Sequence, residues 1–354
     1  MIEAPPVRSL PTAIERDDPI FIGGLDRSGK TLLRGFLASH PNISIPAIGS
    51  NMWTYFYGQY GDLTVGRNFQ RCLDAMLRYK HVAFLQPDPV RIRREFQAGP
   101  ATYPRLFALI QAHAAERIGK PRWGDQSGLI ERYADQIMRA YPRARIIQMI
   151  RDPRDRYEAA SARWPGGRAG VGGAAARWLY STRLADRNAR RHPDRYLVVR
   201  YETLVQEPEQ TIRAVCAFVG EPFLPEMLRM EGAEGYRDKL RQSADADGPA
   251  FLTTEFVGRF RGRVRDDDIA FIQLVARRMM TKHGYGLDRI GWSRPAQLRF
   301  ALLGAPAGVL RMASWFLNEQ VQQRLPAVHG RRPSADKVRG DGADLTGNST
   351  EGSA

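Results

Sequence analysis

Residues 19–33 read Pro-Ile-Phe-Ile-Gly-Gly-Leu-Asp-Arg-Ser-Gly-Lys-Thr-Leu-Leu. The apolar run Ile20-Phe21-Ile22 is short and ends in glycine, which predicts a buried strand over residues 19–24 running into a turn. Leu32, Leu33, Phe36 and Leu37 then fall on one side of a helix predicted over Lys30–Ser39, which His40-Pro41 ends. Between strand and helix, Gly24 to Thr31 satisfies the pattern G-x-x-x-x-G-K-[ST]. Backbone N–H groups converge in such a turn, and the helix N-terminus adds partial positive charge. Gly29 lets the backbone approach a phosphate closely, and Arg27 and Lys30 add full charges. A phosphate-bearing ligand is the expectation; a glycine turn of purely structural use is the alternative.

Outward from this loop, Arg145–Ile150 and Arg195–Arg200 predict further strands. Helices are predicted over Arg67–Lys80, Val90–Ala98, Tyr103–Ile118, Leu129–Tyr141, Asp152–Arg163, Ala174–Arg191, Pro208–Val219 and Asp266–His283. Strands alternating with helices predict an α/β protein, a three-layer P-loop fold with a central parallel sheet flanked by helices. Residues 1–18 read as a flexible lead-in, 19–290 as the domain, 291–325 as a C-terminal helical extension and 326–354 as a disordered tail. The aromatic stretch Met52–Tyr60 reads as a substrate-facing lid, and Pro165–Gly173, with five glycines, as a mobile loop.

Of the 354 residues, 43% are hydrophobic and 26% charged, enough for a packed core and against global disorder. The net charge of +15 favours an anionic partner. Only six of the 53 basic residues are Lys, so arginine-rich coding also contributes to that charge. Nucleic acid ranks low, because no stacking platform or recognition helix stands out. Cys72 and Cys216 lack metal-ligand spacing and fit a reducing compartment; no metal is expected. Met1–Asp18 has no apolar run of the kind a signal peptide needs, and no stretch approaches ~20 uninterrupted apolar residues. A cytoplasmic protein is the expectation. Leu298–Leu325 is apolar with few charges; it either rests on a membrane interface, at the inner face, or packs on the core or a second subunit.

The loop alone does not separate a nucleoside triphosphate kinase from a sulfotransferase. A kinase wants an apolar strand ending in Asp to help hold Mg²⁺, whereas Arg145–Ile150 ends in Arg151. Blocks in order along the chain then resemble the bacterial sulfotransferases that use 3′-phosphoadenosine 5′-phosphosulfate (PAPS). Arg27-Ser28-Gly29, Thr31-Leu32-Leu33 and Ser39-His40-Pro41-Asn42-Ile43 resemble that family's 5′-phosphosulfate loop. Ile146–Arg156 resembles its 3′-phosphate strand and helix, and Val198–Phe218 its "YE-x-L" turn and following helix. Gly258-Arg259-Phe260-Arg261 resembles its "GRW" element, and Gly284–Leu287 its domain end.

The resemblance implies donor binding by the backbone of Ser28, Gly29, Lys30 and Thr31, with Arg27 beside the bridging oxygen. It implies Arg151 on the 3′-phosphate, Tyr201 near the adenine, and Arg259 and Arg261 closing over that phosphate. It also implies an acceptor hydroxyl on a carbohydrate, glycolipid or polysaccharide.

Three departures bear on these roles. Lys30 stands where the family has Thr. Ala159 stands where it has a serine, for which Ser161 and Arg154 are the nearby substitutes. Gln126, within Trp123–Gly128, replaces a lysine, and Lys30 is read as restoring that cation from the other side of the site. No acid occupies residues 45–49, where some relatives carry the base, so Asp125 is the candidate base, with capping of a helix near Ser127 as its other reading. Asp26 is a weaker choice, since a loop Asp commonly fixes its own turn, and His40 reads as a cap or packing group. His81 and His113 have no supporting context, while Asn51 and Trp53 are candidates to line the acceptor pocket, with aromatic core the other fate for Trp53. A degenerate member that binds donor without transferring sulfate is the remaining alternative.

Overall fold

Alternation of short apolar strands with amphipathic helices leaves the strands only one arrangement that covers both faces: a parallel sheet between helical layers. The computed structural model, which describes residues 18–164, 170–230 and 252–324, has that arrangement. Its strands are β1 Ile20–Gly24, β2 Ile43–Ser44, β3 Arg122–Gln126, β4 Arg145–Ile150 and β5 Tyr196–Arg200, in the spatial order β2-β3-β1-β4-β5. All pairings are parallel; Ile20 faces Gly124 and Arg145, and Gly24 faces Met149. The strand order reverses beside β1, so the crevice at its C-terminal end is where a ligand is expected.

Glycine at the end of β1 is enforced by packing. Gly24 has φ +114°, and a Cβ there would sit 2.3 Å from the Met149 carbonyl oxygen of the neighbouring strand. Only glycine lets the chain turn out of the sheet at that point.

Sequence patterning missed β2 and β3. Ile43–Ser44 is too short to show a pattern. Arg122-Trp-Gly-Asp-Gln carries polar groups into the interior, and those of Arg122 and Asp125 are satisfied largely by distant chain. Arg122 donates to the carbonyls of Asp18 (2.7 Å) and Val219 (2.6 Å) and pairs with Glu221. The helix expected over Leu129–Tyr141 is a 3₁₀ turn, Ile130–Tyr133, followed by the α-helix Ala134–Ala140. The aromatic stretch read as a lid is core: Trp53 is 1% exposed and stacks on Tyr57 at 4.8 Å, and Phe56 is buried. The glycines of the loop expected over Pro165–Gly173 are helical from Gly170 onward, in Gly170–Arg191; the rest of that loop, the lead-in and the tail lie outside the described residues.

Beyond the sheet, the helix Asp266–Lys282 and the C-terminal helix pack on Gly170–Arg191. The C-terminal helix runs through Arg294–Arg299, a π-helical turn Phe300–Gly304 and Ala305–Arg324. Its stretch Arg294–Val321, although interrupted by Arg299 and Arg311, contains an 18-residue window of mean hydropathy 1.4 and is by length and composition able to cross a membrane. A cavity of about 650 Å³, lined in part by Tyr57, Tyr103, Arg139 and Tyr141, lies where Ala134–Ala140 leads back to the start of β4.

Gly24→Ala is expected to lose about 2–4 kcal/mol of stability, since it combines a strained φ with a clash against backbone. Chemical denaturation checks it; a midpoint equal to that of the unaltered chain would contradict the close approach of β1 to β4.

Candidate functional site

The loop after β1 is built from unusual backbone. Arg27 takes φ 67°, left-handed for a side-chain-bearing residue, and Gly29 takes φ 86°. Together they turn the chain so that the helix Lys30–Ala38 starts with its N–H groups facing the crevice. A Cβ at Gly29 would lie 2.5 Å from the Tyr201 ring, so glycine is also required by contact. Ser28 is buried, while the side chains of Asp26, Arg27 and Thr31 are exposed at the loop's mouth.

Arg151, just past β4, joins this loop. It is 6% exposed and donates to the Arg27 carbonyl (3.1 Å) and to the Phe256 carbonyl (2.7 Å). Its guanidinium lies 4.5 Å above the Tyr201 ring. The Trp178 indole N–H donates to the Arg151 carbonyl at 2.8 Å, which fixes the strand exit. The two cations expected to hold opposite ends of one ligand are thus neighbours. Partial desolvation at the crevice wall and the nearby Arg151 hold the Arg27 guanidinium below its ordinary pKa, although its side chain remains largely exposed.

Asp155, in the helix Pro153–Arg163, positions the third wall. Its oxygens accept from the Gly258 N–H (2.7 Å) and the Phe260 N–H (2.9 Å), and its own burial raises its pKa. This pins the segment carrying Arg259 against Arg151. Arg259 lies 5.0 Å over the Phe256 ring and 3.5 Å from Glu158. Arg261 is committed elsewhere: Asp288 takes two of its donors, at 2.6 and 2.9 Å. Closure of Arg261 over a ligand would require breaking that pair.

Neither serine substitute serves. Arg154 is buried and doubly bonded to Asp152, with further bonds to Gln273 and the Gly286 carbonyl, so it ties the strand exit to the core. Ser161 is exposed; two residues on from buried Ala159, it points ~200° around the helix from that position.

Lys30 is buried, 3.6 Å from Asp26 and close to the exit of β3, where a Cβ on Gly128 would be 3.7 Å from its Nζ. Burial lowers its pKa, and Asp26 opposes that. The ammonium thus stands beside the segment that carries Gln126. Asp125, one residue earlier, accepts from Ser50 N–H (3.0 Å), Ser50 Oγ–H (2.6 Å) and Ser127 Oγ–H (2.9 Å). With 1% exposure it straps the segment after β2 to the exit of β3 and caps no helix, which corrects the capping reading, and bonds to Ser50 and Ser127 take up the carboxylate that was the candidate base.

His40 is also structural, as its Nδ1 accepts from Asn42 N–H and its Nε2 donates to the Pro222 carbonyl. His113 is buried against Glu95 at 2.7 Å. His81, by contrast, is brought to the site. It donates from Nδ1 to the Gly49 carbonyl at 2.7 Å, beside Asn51, and Gly49 itself presses on the Gln126 carbonyl. Burial lowers its pKa below the ordinary imidazole range. No sequence signal marked it, because the contact depends on a helix, Lys80–Ala83, folding back over the segment after β2.

Arg156 was likewise missed. It is 5% exposed, and burial pushes its pKa down to about 10. Among the described residues no carboxylate lies within ion-pair distance of Arg151 or Arg156. The Nε atoms of Arg151, Arg156 and Arg259 and Oε1 of Gln126 are buried without a hydrogen-bond partner among the described residues. A crevice with unspent guanidinium donors and helix N–H groups fits a polyanion.

The family model described as "Sulfotransferase family" matches residues 19–225. The sulfotransferase domain of the Synechococcus PCC 7002 olefin synthase is similar at 21% identity, with a TM-score of 0.54, over 77% of this chain and 96% of that one. The sulfotransferase domain of the curacin biosynthetic pathway is 17% identical over 77% and 99%, with a TM-score of 0.42. Sulfotransferase STF9 from Mycobacterium avium is 12% identical over 77% and 78%, with a TM-score of 0.41. No curated protein sequence matches the chain.

Arg156→Leu separates site from scaffold. Without ligand, removal of a buried cation that has no ion pair among the described residues is expected to leave the melting temperature unchanged or higher. The rise that inorganic pyrophosphate gives the unaltered protein should shrink or vanish. An equal rise in both proteins would place Arg156 outside the anion site.

Proposed function

Since the chain belongs to the sulfotransferase family, we propose that it moves a sulfuryl group from PAPS to an acceptor hydroxyl, on a carbohydrate, glycolipid or polysaccharide. The observation that carries the donor assignment is the adjacency of Arg27 and Arg151 with their neighbouring donors left unspent. One anion would lie on the N–H groups of Ser28–Thr31 and a second on Arg151, with the adenine near Tyr201. PAPS supplies an activated sulfuryl group whose departure leaves charge on the bridging oxygen. Arg27 and Lys30 stand where that charge develops and stabilise it without reorganising. Lys30 takes the place of the cation that Gln126 lacks, and Arg156 adds a further charge behind it.

The kinase reading is disfavoured by Arg151, a cation where an acid would be wanted to hold Mg²⁺. Adenosine 3′,5′-bisphosphate is expected to raise the melting temperature without Mg²⁺, and Arg151→Ala to remove most of that rise. Lys30→Ala should abolish turnover while part of the donor binding survives. Stabilisation only by ATP with Mg²⁺ would overturn the donor, normal turnover by Lys30→Ala would end its role, and donor binding without turnover would mark a degenerate member.

The proton acceptor, in this reading, is His81. Its Nδ1–H is held by Gly49, which leaves Nε2 as the basic atom, and burial keeps it neutral at pH 7. Because its pKa is lowered, the base stays competent until pH falls below the ordinary imidazole range. Turnover should therefore be flat near neutrality and decline in acid. His81→Gln is expected to lose ~10²–10⁴-fold in kcat and that acid limb; an unaltered pH profile in the variant would exclude His81.

A further inference from the structure

The C-terminal helix exposes an apolar face that none of the described residues covers. Leu298, Leu302, Leu303, Leu310 and Leu317 are 60, 65, 68, 71 and 67% exposed. Soluble monomers rarely show so continuous an apolar patch without a partner. The helix meets the length and composition of a membrane span, yet its opposite face is fastened to the domain. Gly308 is pressed so closely on Phe271 that a Cβ would come within 2.3 Å of the ring, and Gly172 packs equally closely on the Gly308 carbonyl. Trp315 is 9% exposed against Tyr180, and Glu319 pairs with Arg132 at 2.7 Å. A helix held along its length by the globular domain lies on a bilayer and does not cross it.

Charge identifies the bilayer. Between Arg289 and Val321 the sequence has one acidic residue, Glu319, and that one is buried in its pair with Arg132. Arg289 and Arg294 are exposed along the same stretch, while Arg299 lies 3.5 Å from Asp267 and Arg311 packs along Gly170 and Gly172. Two-fold pairing of this face with a second copy would oppose arginine-rich surfaces to each other. Anionic headgroups would neutralise them while the leucines enter the acyl boundary. We propose that the face Leu298–Leu317 seats the protein on an anionic lipid surface, with the helix axis in the plane of the membrane. The site and its chemistry are independent of the donor assignment; if both hold, the acceptor class is one presented at a membrane, such as a lipid-anchored hydroxyl.

The full chain should co-sediment with vesicles of phosphatidylcholine containing about one-third phosphatidylglycerol, and much less with phosphatidylcholine alone. Leu302→Glu/Leu310→Glu changes only exposed positions and should lower the partition at least about tenfold with the melting temperature preserved. Arg294→Glu, an independent change, should lower it several-fold. Wild-type protein that stays in the supernatant with anionic vesicles, or variants that bind as well as wild type, would overturn the proposal. Sizing that shows a wild-type dimer, made monomeric by the double variant and indifferent to vesicles, would instead assign the face to a second copy and overturn it too. Sulfuryl transfer enters neither readout, so failure here is distinct from failure of the donor assignment.

Discussion

Everything at the crevice depends on one guanidinium bonded to backbone. Arg151 leaves β4 and donates to the Arg27 carbonyl, while the segment carrying Phe256 covers it. These bonds go to neutral carbonyls, so the full charge of the side chain stays available to a ligand. The same contact sets the spacing between the helix N-terminus at Lys30 and the crevice wall after β4. Parallel pairing of β1 with β4, held close by Gly24, is what brings the two loops to one edge.

Around that contact the protein concentrates charge at the expense of stability. Lys30 and Arg156 have pKa values lowered by burial. Cations held this way are destabilising until a polyanion arrives, which is the pattern expected of a preorganised site. The supporting shell is conventional by comparison. Asp152 and Arg154, Asp155 and the turn at Gly258, and Asp125 with Ser50 and Ser127 are satisfied pairs that hold backbone in place. Their acids do structural work, and this is why acid-base roles could not be read from carboxylates alone.

Legibility in the sequence followed range of interaction. The loop Gly24–Thr31, its strand and its helix are encoded within a few residues, and the parallel α/β arrangement followed from them and from the apolar runs of β4 and β5. Family resemblance added Arg151 and Tyr201, which do meet at the crevice. What stayed hidden depends on distant partners. β3 reads as polar because Arg122 and Asp125 find their hydrogen bonds far along the chain, at Val219 and Ser50. His81 reaches the site through Gly49, and Arg156 is distinguished by burial without an ion pair among the described residues, which no local pattern reports. Trp53 and Phe56 looked like a lid because aromatic residues between glycines have the same composition whether they cover a pocket or fill a core.

The most direct measurement is a crystal structure of the complex with adenosine 3′,5′-bisphosphate. The expected result has the 5′-phosphate on the N–H groups of Ser28–Thr31, the 3′-phosphate on Arg151 with Arg259 nearby, and the base against Tyr201. A nucleotide bound elsewhere, or bound here with Arg151 making no phosphate contact, would contradict the view that adjacent cations after β1 and β4 grip one ligand by its two ends.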